Sequence, residues 1–568
     1  MANSGESGRK SQFQVMRDWC IAHPNWTLVL VTVAALAPFL AKPFNFDDPL
    51  FIWAAKHIQS HPADPYGFDV NWFGSEQPMW TAMMNPPLMS YYLAVAAGVV
   101  GWSEFGLHLA CLVFAIGVVL GTYRLAASFC KRPLIAALAT LFTPAFLVSS
   151  TTVMCDVSML ALWIWAVVFW TEGIKQGKLW NLSIGGTLIG LALLTKFNGV
   201  CLIPLLAAYT WIERRAAGKR VIFVLIPVAM LCAHEWITIQ LYGKPHFLMA
   251  GQVARMNQAA EGTRNFPEVF TALTFVGGCF AIALFFAPYL WQRKALLGFT
   301  LVSALLTAFA VARHMMAVNY YWLSGQSLMF VEVQVLLWAA TGVSVLALAS
   351  VDLWKTRDSG SWLLFLWVTG ILVYAALVYF MLNARAILAM GPAVAILIAR
   401  RLEQNRNVLP SGIKFSFAAS AALSLLAAQA DFQQAETARQ ATDEICRKYS
   451  GLPTKVWFQG HWGFQYYMQL AGAWPADLKH SGLRPGDLLV VPRGNSNLLP
   501  INPETTMLDH EVALSGFPWF ATMNSHVGAG LYSSFWGPLP FAFGSVPAER
   551  VSVYTLKDMA GESQRAAN

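Results

Sequence analysis

The chain has 568 residues, of which 57% are hydrophobic and 12% are charged, and its formal net charge is +8. Ordinary soluble domains carry about 25% charged residues, so this composition excludes a soluble protein and indicates a multi-pass membrane protein. The positive charge does not indicate a nucleic-acid partner, because most clustered Lys and Arg residues lie in short loops between apolar segments, as the positive-inside rule predicts.

The N-terminal segment, residues 1–25, is polar and contains Arg9, Lys10 and Arg17. The first apolar segment, residues 26–40, lacks the small-residue site at which a signal peptide is cleaved. We therefore predict a cytoplasmic tail followed by a retained membrane anchor with its N-terminus inside.

Two adjacent acids, Asp47 and Asp48, follow this first segment, where the chain leaves the membrane. Carboxylates are costly at this position unless they have a function. The pair Asp48-Pro49 predicts a helix start, with Asp48 as the cap and Pro49 at the first helical position. Asp47 is then free to point into a site. The alternative interpretation is that both acids mark a solvated loop.

Twelve further apolar segments are long enough to be membrane helices or large parts of them. They are residues 105–129, 134–153, 157–170, 179–194, 200–212, 221–241, 269–290, 295–312, 329–351, 362–382, 386–399 and 413–428. Another apolar helix begins at Pro86-Pro87. If that helix spanned the membrane, the basic clusters after it would face outward, against the positive-inside rule. We therefore predict that it lies along the outer surface, which gives about 13 spans and an outer C-terminus.

From residue 430 the composition becomes that of a soluble domain. The pattern predicts helices at residues 435–449 and near 462–470, and strands at residues 455–458, 487–491 and 551–555. Gly and Pro between residues 516 and 544 indicate loops. The predicted fold is a polytopic α-helical membrane domain, residues 26–429, followed by a small α/β domain on the outer face, residues 430–568.

The predicted topology gathers charged side chains at the outer mouth of the membrane domain. They are Asp47, Asp48, Asp156, Lys196, Arg264, Arg313, His314 and Arg385. Cations in such a cluster can bind the phosphate of a lipid headgroup through charge-assisted hydrogen bonds. A carboxylate can accept a proton from an attacking hydroxyl group. The pattern therefore indicates chemistry on a lipid-linked phosphate at the membrane surface.

Five short motifs occur in chain order on the predicted outer side. They are Phe46-Asp47-Asp48, Asn85-Pro86-Pro87-Leu88, residues 151–156 ending in Asp156, Leu194-Thr195-Lys196, and Asn383-Ala384-Arg385. In these motifs the chain resembles the GT-C glycosyltransferases that use polyprenyl-phosphate sugars, specifically the bacterial relatives of protein O-mannosyltransferases and of the aminoarabinose transferase of lipid A. The stretch from Phe458 to Tyr467 also resembles the outer domain of bacterial relatives.

The motifs depart from the family pattern at three places. Asp48 stands where the family has Glu, and Ala386 rather than Tyr follows Arg385. Met84 and Asn85 stand where the aminoarabinose transferases place Glu and Lys. The last departure removes one acid and one phosphate-binding cation, and it leaves the donor sugar open.

The resemblance implies a GT-C-like fold and transfer of a sugar from undecaprenyl phosphate to an acceptor hydroxyl, with inversion, at the periplasmic face of a bacterial inner membrane. It implies that Asp47 is the general base and that Asp156 is a second catalytic-site residue, which orients the acceptor or Asp47 or binds a cation; the alternative is that Asp156 only caps a helix. The implied donor-phosphate ligands are Lys196, Arg385, Arg264, Arg313 and His314, and the other implied site residues are Asp48, Asn85 and Pro86. The acceptor is a protein, lipid A or another glycan.

Two other functional classes predict different features of the sequence. A transporter or flippase of a lipid-linked sugar predicts broken helices and charges near the middle of the spans, whereas here the charges gather at one face. A sugar-sensing receptor does not require so many spans. No metal site is assigned, because the cysteines form no CxxC pair and His57 and His61 lack a HExxH pattern. The sequence leaves open whether the protein uses a divalent metal.

Overall fold

The structure is a computed structural model of the chain. It describes residue 19 and residues 22–214, 219–260, 266–313, 325–379, 381–405, 411–451, 453–477, 479–480 and 482–557.

Helices make up most of the described chain up to residue 449. In chain order they are α1 Pro24–Leu36, α2 Asp48–Ser60, α3 Met79–Ala82, α4 Leu88–Val100, α5 Glu104–Ala126, α6 Pro133–Leu141, α7 Pro144–Ser149, α8 Asp156–Gln176, α9 Leu179–Thr195, α10 Leu202–Arg214, α11 Leu225–Tyr242, α12 His246–Ala260, α13 Phe266–Cys279, α14 Ile282–Leu290, α15 Arg293–Ala312, α16 Gly325–Thr356, α17 Ser359–Val373, α18 Ala384–Ile387, α19 Gly391–Asn405 and α20 Ile413–Tyr449. A π-helical turn, Tyr374–Val378, extends α17.

The helices confirm a multi-pass membrane protein. Among the described residues, seven helices are long and apolar enough to cross a bilayer. Helices α13 and α14 form an eighth crossing if they are counted together, although they are bent by 83° at their junction. Each apolar segment predicted from the sequence contains helix. The total of about 13 spans stays a prediction, because several of these helices are short.

Helix α4 follows the Pro86-Pro87 pair and packs against α2. Its 13 residues give a length of about 20 Å, which is less than the thickness of the hydrocarbon core, about 30 Å. Val95 and Val99 on its outer face are strongly exposed. A short apolar helix with this exposure is consistent with the prediction that it lies along the membrane surface.

Helix α20 continues without a break from the membrane region into the C-terminal region. Its 37 residues span about 55 Å. The sequence predicts a span ending near residue 428 and a separate helix at residues 435–449. The predicted domain boundary at residue 430 therefore falls inside one helix, at a point where Asp431 is fully buried.

The C-terminal region contains a five-stranded sheet and the helix α21, Trp462–Leu470. The strands in spatial order are β4 Trp474–Pro475, β3 Val456–Phe458, β5 Leu488–Pro492, β11 Glu549–Leu556 and β6 Thr506–Leu514. Strand β3 runs parallel to β4 and β5, and β11 runs antiparallel to β5 and β6. The sheet confirms the three predicted strands and adds β4 and β6. The remaining strands are the short pairs β1 Asp69–Asn71, β2 Glu76–Pro78, β7 Phe520–Ala521, β8 Met523–Asn524, β9 Ala529–Gly530 and β10 Ala542–Phe543.

Residues 517–545, between β6 and β11, pack against the membrane helices and share their hydrophobic core. The Phe541 ring lies 5.3 Å from the Trp338 ring of α16. The backbone N–H of Ala384 donates to the carbonyl of Leu531 over 2.8 Å. This segment therefore reaches from the five-stranded sheet to the turn that carries Arg385.

Asp48 fixes the loop between α1 and α2. The sequence predicts Asp48 as the helix cap, but the helix begins at Asp48 itself and Asp47 occupies the cap position. The Asp48 carboxylate instead accepts N–H bonds from Asn45 and from Val153, each over 2.9 Å. The side chain is fully buried, and burial raises its pKa to about 7. Asp48 therefore ties the first outer loop to the segment before α8.

We expect Asp48→Asn to lower the apparent melting temperature of the purified protein by several degrees. The amide nitrogen would face a backbone N–H, and an unsatisfied buried group costs about 1–3 kcal/mol. Asp69→Asn is the matched control, because Asp69 is exposed in β1. Thermal unfolding in detergent, followed by fluorescence, measures both variants.

The difference between wild type and Asp48→Asn depends on pH with a defined sign. The folded pKa of Asp48 is about 7 and lies above its ordinary value. The contribution of the protonated carboxyl to stability is therefore complete below pH about 4 and is lost as the pH rises through 7. We expect the difference in melting temperature to shrink over that range. Equal destabilisation by Asp69→Asn would contradict the assignment.

Candidate active site

Asp47 stands at the end of the first outer loop, with its carboxylate on the wall of a large cavity. The preceding residue, Phe46, has a φ of 45°, in the left-handed region that residues other than glycine rarely occupy. The Phe46 ring stacks on Tyr532, with 3.7 Å between the ring centroids, and lies 5.0 Å from the Trp462 ring. The Asp48 bonds and these ring contacts together set the direction of the Asp47 side chain.

Two carboxylates and two cations, from four separate segments of the polypeptide, contact one another in series. The Lys196 Nζ is 2.6 Å from Oδ1 of Asp156, and Nη1 of Arg385 is 3.9 Å from Oδ2 of the same aspartate. Nη1 of Arg385 is also 2.8 Å from Oδ2 of Asp47. The structure therefore brings together all four residues that the motifs place at the centre of the site.

The charges in this arrangement alternate, so the four side chains are formally neutral as a group. Asp156 and Lys196 are 1% and 3% exposed, and Arg385 and Asp47 are 12% and 31% exposed. Charges at this depth are costly unless they are paired. Arg385 and Asp47 are the most exposed of the four side chains, so they are the most accessible to a ligand.

Local structure explains the position of each member. Asp156 is the first residue of α8, where the positive end of the helix dipole favours an acid. Lys196 lies between α9 and a short 3₁₀ turn, Phe197–Cys201. Arg385 lies in α18, whose cap residue Asn383 accepts the N–H of Ala386 over 2.8 Å.

The cavity has a volume of about 1020 Å³. Its polar part includes Asp47, Lys196, Arg385 and the exposed Arg255 of α12. Asp156 is not among the described residues that line it, so this acid lies behind the wall and acts on the cavity through Lys196 and Arg385.

One side of the cavity is apolar and lies among helices. Its lining residues include Phe197, Val200, Leu248, Val253, Tyr374 and Val378. These residues come from the turn after α9, from α12 and from the π-helical turn after α17. A π turn within a helix commonly occurs at a functional site. The cavity therefore joins a charged end to an apolar side.

The C-terminal region forms another part of the wall. Trp462 and Trp536 lie there with 5.6 Å between their rings, and His461 lies 4.9 Å from Trp462. Burial lowers the pKa of His461 to about 4, so this histidine is neutral near pH 7. Ser496, whose Oγ is 3.2 Å from Nε2 of His461, and Asn497 add polar groups to the wall.

The remaining predicted site residues have different positions. Asn85 lines the cavity, and its carbonyl accepts the hydroxyl of Tyr66 over 2.8 Å. Pro86 follows Asn85 and precedes α4. Arg313 is exposed at the end of α15, over the Phe309 ring, and is not among the described lining residues. Arg264 and His314 lie outside the described residues.

Several lining residues were not predicted from the sequence, above all Tyr532, Phe535 and Trp536. They lie in the Gly- and Pro-rich segment that the sequence marks only as loops. Its density of aromatic residues was the available signal. Among the described residues, no group of three His, Cys, Asp or Glu side chains is arranged to hold a metal ion.

Residues 84–238 match the model of a family described as dolichyl-phosphate-mannose-protein mannosyltransferase. This segment contains Asn85, Asp156 and Lys196, whereas Asp47 and Arg385 lie outside it. The match confirms the resemblance that the motifs indicate. The comparison with curated protein sequences gives no match.

Solved structures with similar chains include three membrane glycosyltransferases. The oligosaccharyltransferase of Archaeoglobus fulgidus is 13% identical, with 83% of this chain and 66% of that chain covered and a TM-score of 0.47. ArnT of Cupriavidus metallidurans, bound to undecaprenyl phosphate, is 14% identical, with 84% and 93% covered and a TM-score of 0.40. The mycobacterial arabinofuranosyltransferase AftD is 12% identical, with 95% and 40% covered and a TM-score of 0.39. Similarities of this size assign no substrate.

We expect Asp156→Asn and Lys196→Met each to lower the free energy of unfolding by about 3–5 kcal/mol, because each leaves a buried charge without its partner. The double variant is expected to be more stable than the less stable of the two single variants, since it removes both charges. Thermal or denaturant unfolding in detergent of the wild type, the two single variants and the double variant measures this double-mutant cycle.

The surface pair of Arg124 and Glu172 is the control for that cycle. Its atoms are 2.8 Å apart, but the arginine side chain is 59% exposed. Exposed pairs contribute about 0–1 kcal/mol, so Glu172→Gln is expected to have little effect. Additive losses in the double variant at positions 156 and 196 would show that the two charges do not support each other.

Proposed function

We propose that the protein is a glycosyltransferase that moves a sugar from a polyprenyl-phosphate donor, undecaprenyl phosphate in a bacterial inner membrane, to an acceptor hydroxyl at the periplasmic face. The observation that carries the proposal is the 2.8 Å contact between Asp47 and Arg385 on the wall of a cavity with an apolar side. A base and an anion-binding cation stand side by side where a lipid can enter. The family match over residues 84–238 supports the same reaction class.

The donor is expected to lie with its phosphate against Arg385 and Lys196. The planar guanidinium can make two parallel hydrogen bonds to phosphate oxygens, and the ammonium adds a point charge. The isoprenoid tail then follows the apolar side formed by α12 and the π-helical turn. Arg255 in the same wall is a further cation within the cavity.

Asp47 is proposed as the general base. The acceptor hydroxyl gives its proton to the Asp47 carboxylate while its oxygen forms a bond to the anomeric carbon. The bond from that carbon to the phosphate oxygen breaks, and its electron pair leaves with polyprenyl phosphate. Attack opposite the leaving group inverts the anomeric configuration. General-base catalysis contributes about 10²–10⁴-fold, and alignment of the two substrates adds to it.

Arg385 is proposed to contact both the general base and the leaving phosphate. In the structure its guanidinium is paired with Asp47. The leaving phosphate gains negative charge as its bond to the sugar breaks, so it competes more strongly for the guanidinium as the reaction proceeds. Asp156, behind the wall, is proposed to hold Lys196 and Arg385 in place rather than to touch the substrate.

We expect Asp47→Asn to lower kcat by about 10²–10⁴-fold, the contribution of a general base, while lipid binding is retained. The protein in nanodiscs is incubated with a panel of radiolabelled undecaprenyl-phosphate sugars and membrane acceptors, and the label that leaves the lipid is counted. Asp69→Asn is the matched control, because Asp69 is exposed in β1, which follows α2.

Normal transfer by Asp47→Asn would exclude Asp47 as the base. If wild type binds each lipid but transfers none of the sugars, the proposed reaction is wrong and transport of a lipid-linked sugar becomes the better interpretation. A single transferred sugar identifies the donor, and the labelled product identifies the acceptor class.

We expect Arg385→Gln to weaken the binding of undecaprenyl phosphate by about 10- to 100-fold. A hydrogen bond to a charged group is worth about 1.5–3 kcal/mol, and each 1.4 kcal/mol is about tenfold in affinity. Titration of radiolabelled undecaprenyl phosphate against the protein in nanodiscs measures the dissociation constant. Arg313→Gln is the control, because Arg313 is exposed and outside the described lining; equal weakening by both variants would contradict the assignment.

A further inference from the structure

A second buried ion pair, separate from the contacts among Asp47, Arg385, Asp156 and Lys196, lies close to the cavity. Lys42, in the first outer loop, is paired with Asp431 of α20, and both side chains are 0% exposed. The Lys42 Nζ also donates to Oγ1 of Thr151 over 3.2 Å. Oγ1 of Thr522 donates to Oδ1 of Asp431 over 3.1 Å. Four separate parts of the chain therefore meet at the Lys42–Asp431 pair.

Tyr532 joins this pair to the proposed catalytic residues. Its hydroxyl donates to Oδ2 of Asp431 over 2.9 Å. One face of its ring stacks on Phe46, the residue before Asp47, at 3.7 Å between centroids. The Arg385 guanidinium lies 5.6 Å from the centre of the same ring, within the range of a cation–π contact.

The backbone around Tyr532 also contacts the turn that carries Arg385. The N–H of Ala384 donates to the carbonyl of Leu531 over 2.8 Å, and the N–H of Ser534 donates to the carbonyl of Leu382 over 2.9 Å. These bonds lie on either side of Tyr532 and just before Arg385. A shift of residues 531–534 therefore moves Arg385 as well.

We propose that Tyr532 is a positioning residue that, anchored by Asp431 and Lys42, holds Arg385 and Asp47 at their contact. The left-handed backbone of Phe46 needs external support, and the stacked Tyr532 ring supplies it. Removal of the hydroxyl releases the ring from Asp431, and both members of the Asp47–Arg385 contact lose a common support. The inference deepens the proposed function and rests on it for its kinetic readout.

The location of the ion pair favours this role over simple stabilisation. A buried pair seldom adds stability beyond that of apolar residues of the same size. Here the residues that contact the Lys42–Asp431 pair lie in distant parts of the chain, from the first outer loop to the C-terminal segment. One of them, Tyr532, also lines the cavity. The C-terminal segment is thus part of the catalytic centre.

The test compares Tyr532→Phe, which keeps the ring, with Tyr449→Phe. Tyr449 also donates its hydroxyl to an aspartate, Asp509, and neither residue is among the described residues that line the cavity. We expect Tyr532→Phe to lower kcat about tenfold and Tyr532→Leu about 10²-fold, since small misplacements of reacting groups have effects of this size. The KM for the acceptor is expected to stay within about threefold, and Tyr449→Phe is expected to leave kcat unchanged.

A binding measurement tests the same proposal without catalysis. We expect Tyr532→Phe to weaken undecaprenyl phosphate binding several-fold, and we expect the double variant with Arg385→Gln to bind no more weakly than Arg385→Gln alone. Such non-additivity shows that Tyr532 acts through Arg385. Unchanged kcat and unchanged binding in a folded Tyr532→Phe protein, or additive losses in the double variant, would overturn the proposal. Absence of transfer in wild type, with the coupling intact, would refute the reaction but not the positioning role.

Discussion

The site depends on one guanidinium that is shared between two carboxylates. Arg385 contacts Asp47 at 2.8 Å and lies 3.9 Å from Asp156, which in turn binds Lys196 at 2.6 Å. Because the charges alternate, each buried group has a partner of opposite sign and no net charge accumulates away from water. The four side chains are therefore paired with one another, and in the proposed reaction the phosphate replaces one of these contacts rather than filling an uncompensated positive pocket.

The position of this cluster follows from contacts between distant parts of the chain. Asp48 binds the first outer loop to the backbone before α8, and the segment around Tyr532 binds the turn of Arg385. Neither contact lies within the apolar face of a membrane helix. The helices therefore provide the frame, while the α1–α2 loop, the segment before α8, the segment around Tyr532 and the turn of Arg385 determine where the acid and the cations meet.

Much of this organisation was predictable from the sequence, for physical reasons. Long apolar segments predict helices because a bilayer leaves the backbone few alternatives. Asp47, Asp156, Lys196 and Arg385 were identifiable as charges that end apolar segments on one predicted side. The same reasoning placed Arg313 at the site, although it is exposed at the end of α15, because topology specifies a side of the membrane but not a direction within that surface.

The errors share a cause. Asp48 looked like a helix cap because local pattern cannot show that its acceptor atoms are used by Asn45 and Val153. Helix α20 looked like two elements because its composition changes at the membrane surface while its backbone does not. Tyr532 lay in a stretch of Gly, Pro and aromatic residues whose packing is set by the membrane helices and not by its own periodicity.

The Lys42–Asp431 pair also has a consequence for biosynthesis. Its partners are separated by 389 residues, so at about 5–20 residues per second Lys42 is made roughly 20–80 s before Asp431. During that interval the first outer loop has no ion-pair partner on α20, and the ring that supports Phe46 does not yet exist. The loop therefore reaches its final form only after α20 and the segment beyond it have been synthesised and placed. On the proposed role of Tyr532, maturation of the site is a late event, and a chain that ends before Tyr532 lacks one support of the Asp47–Arg385 contact.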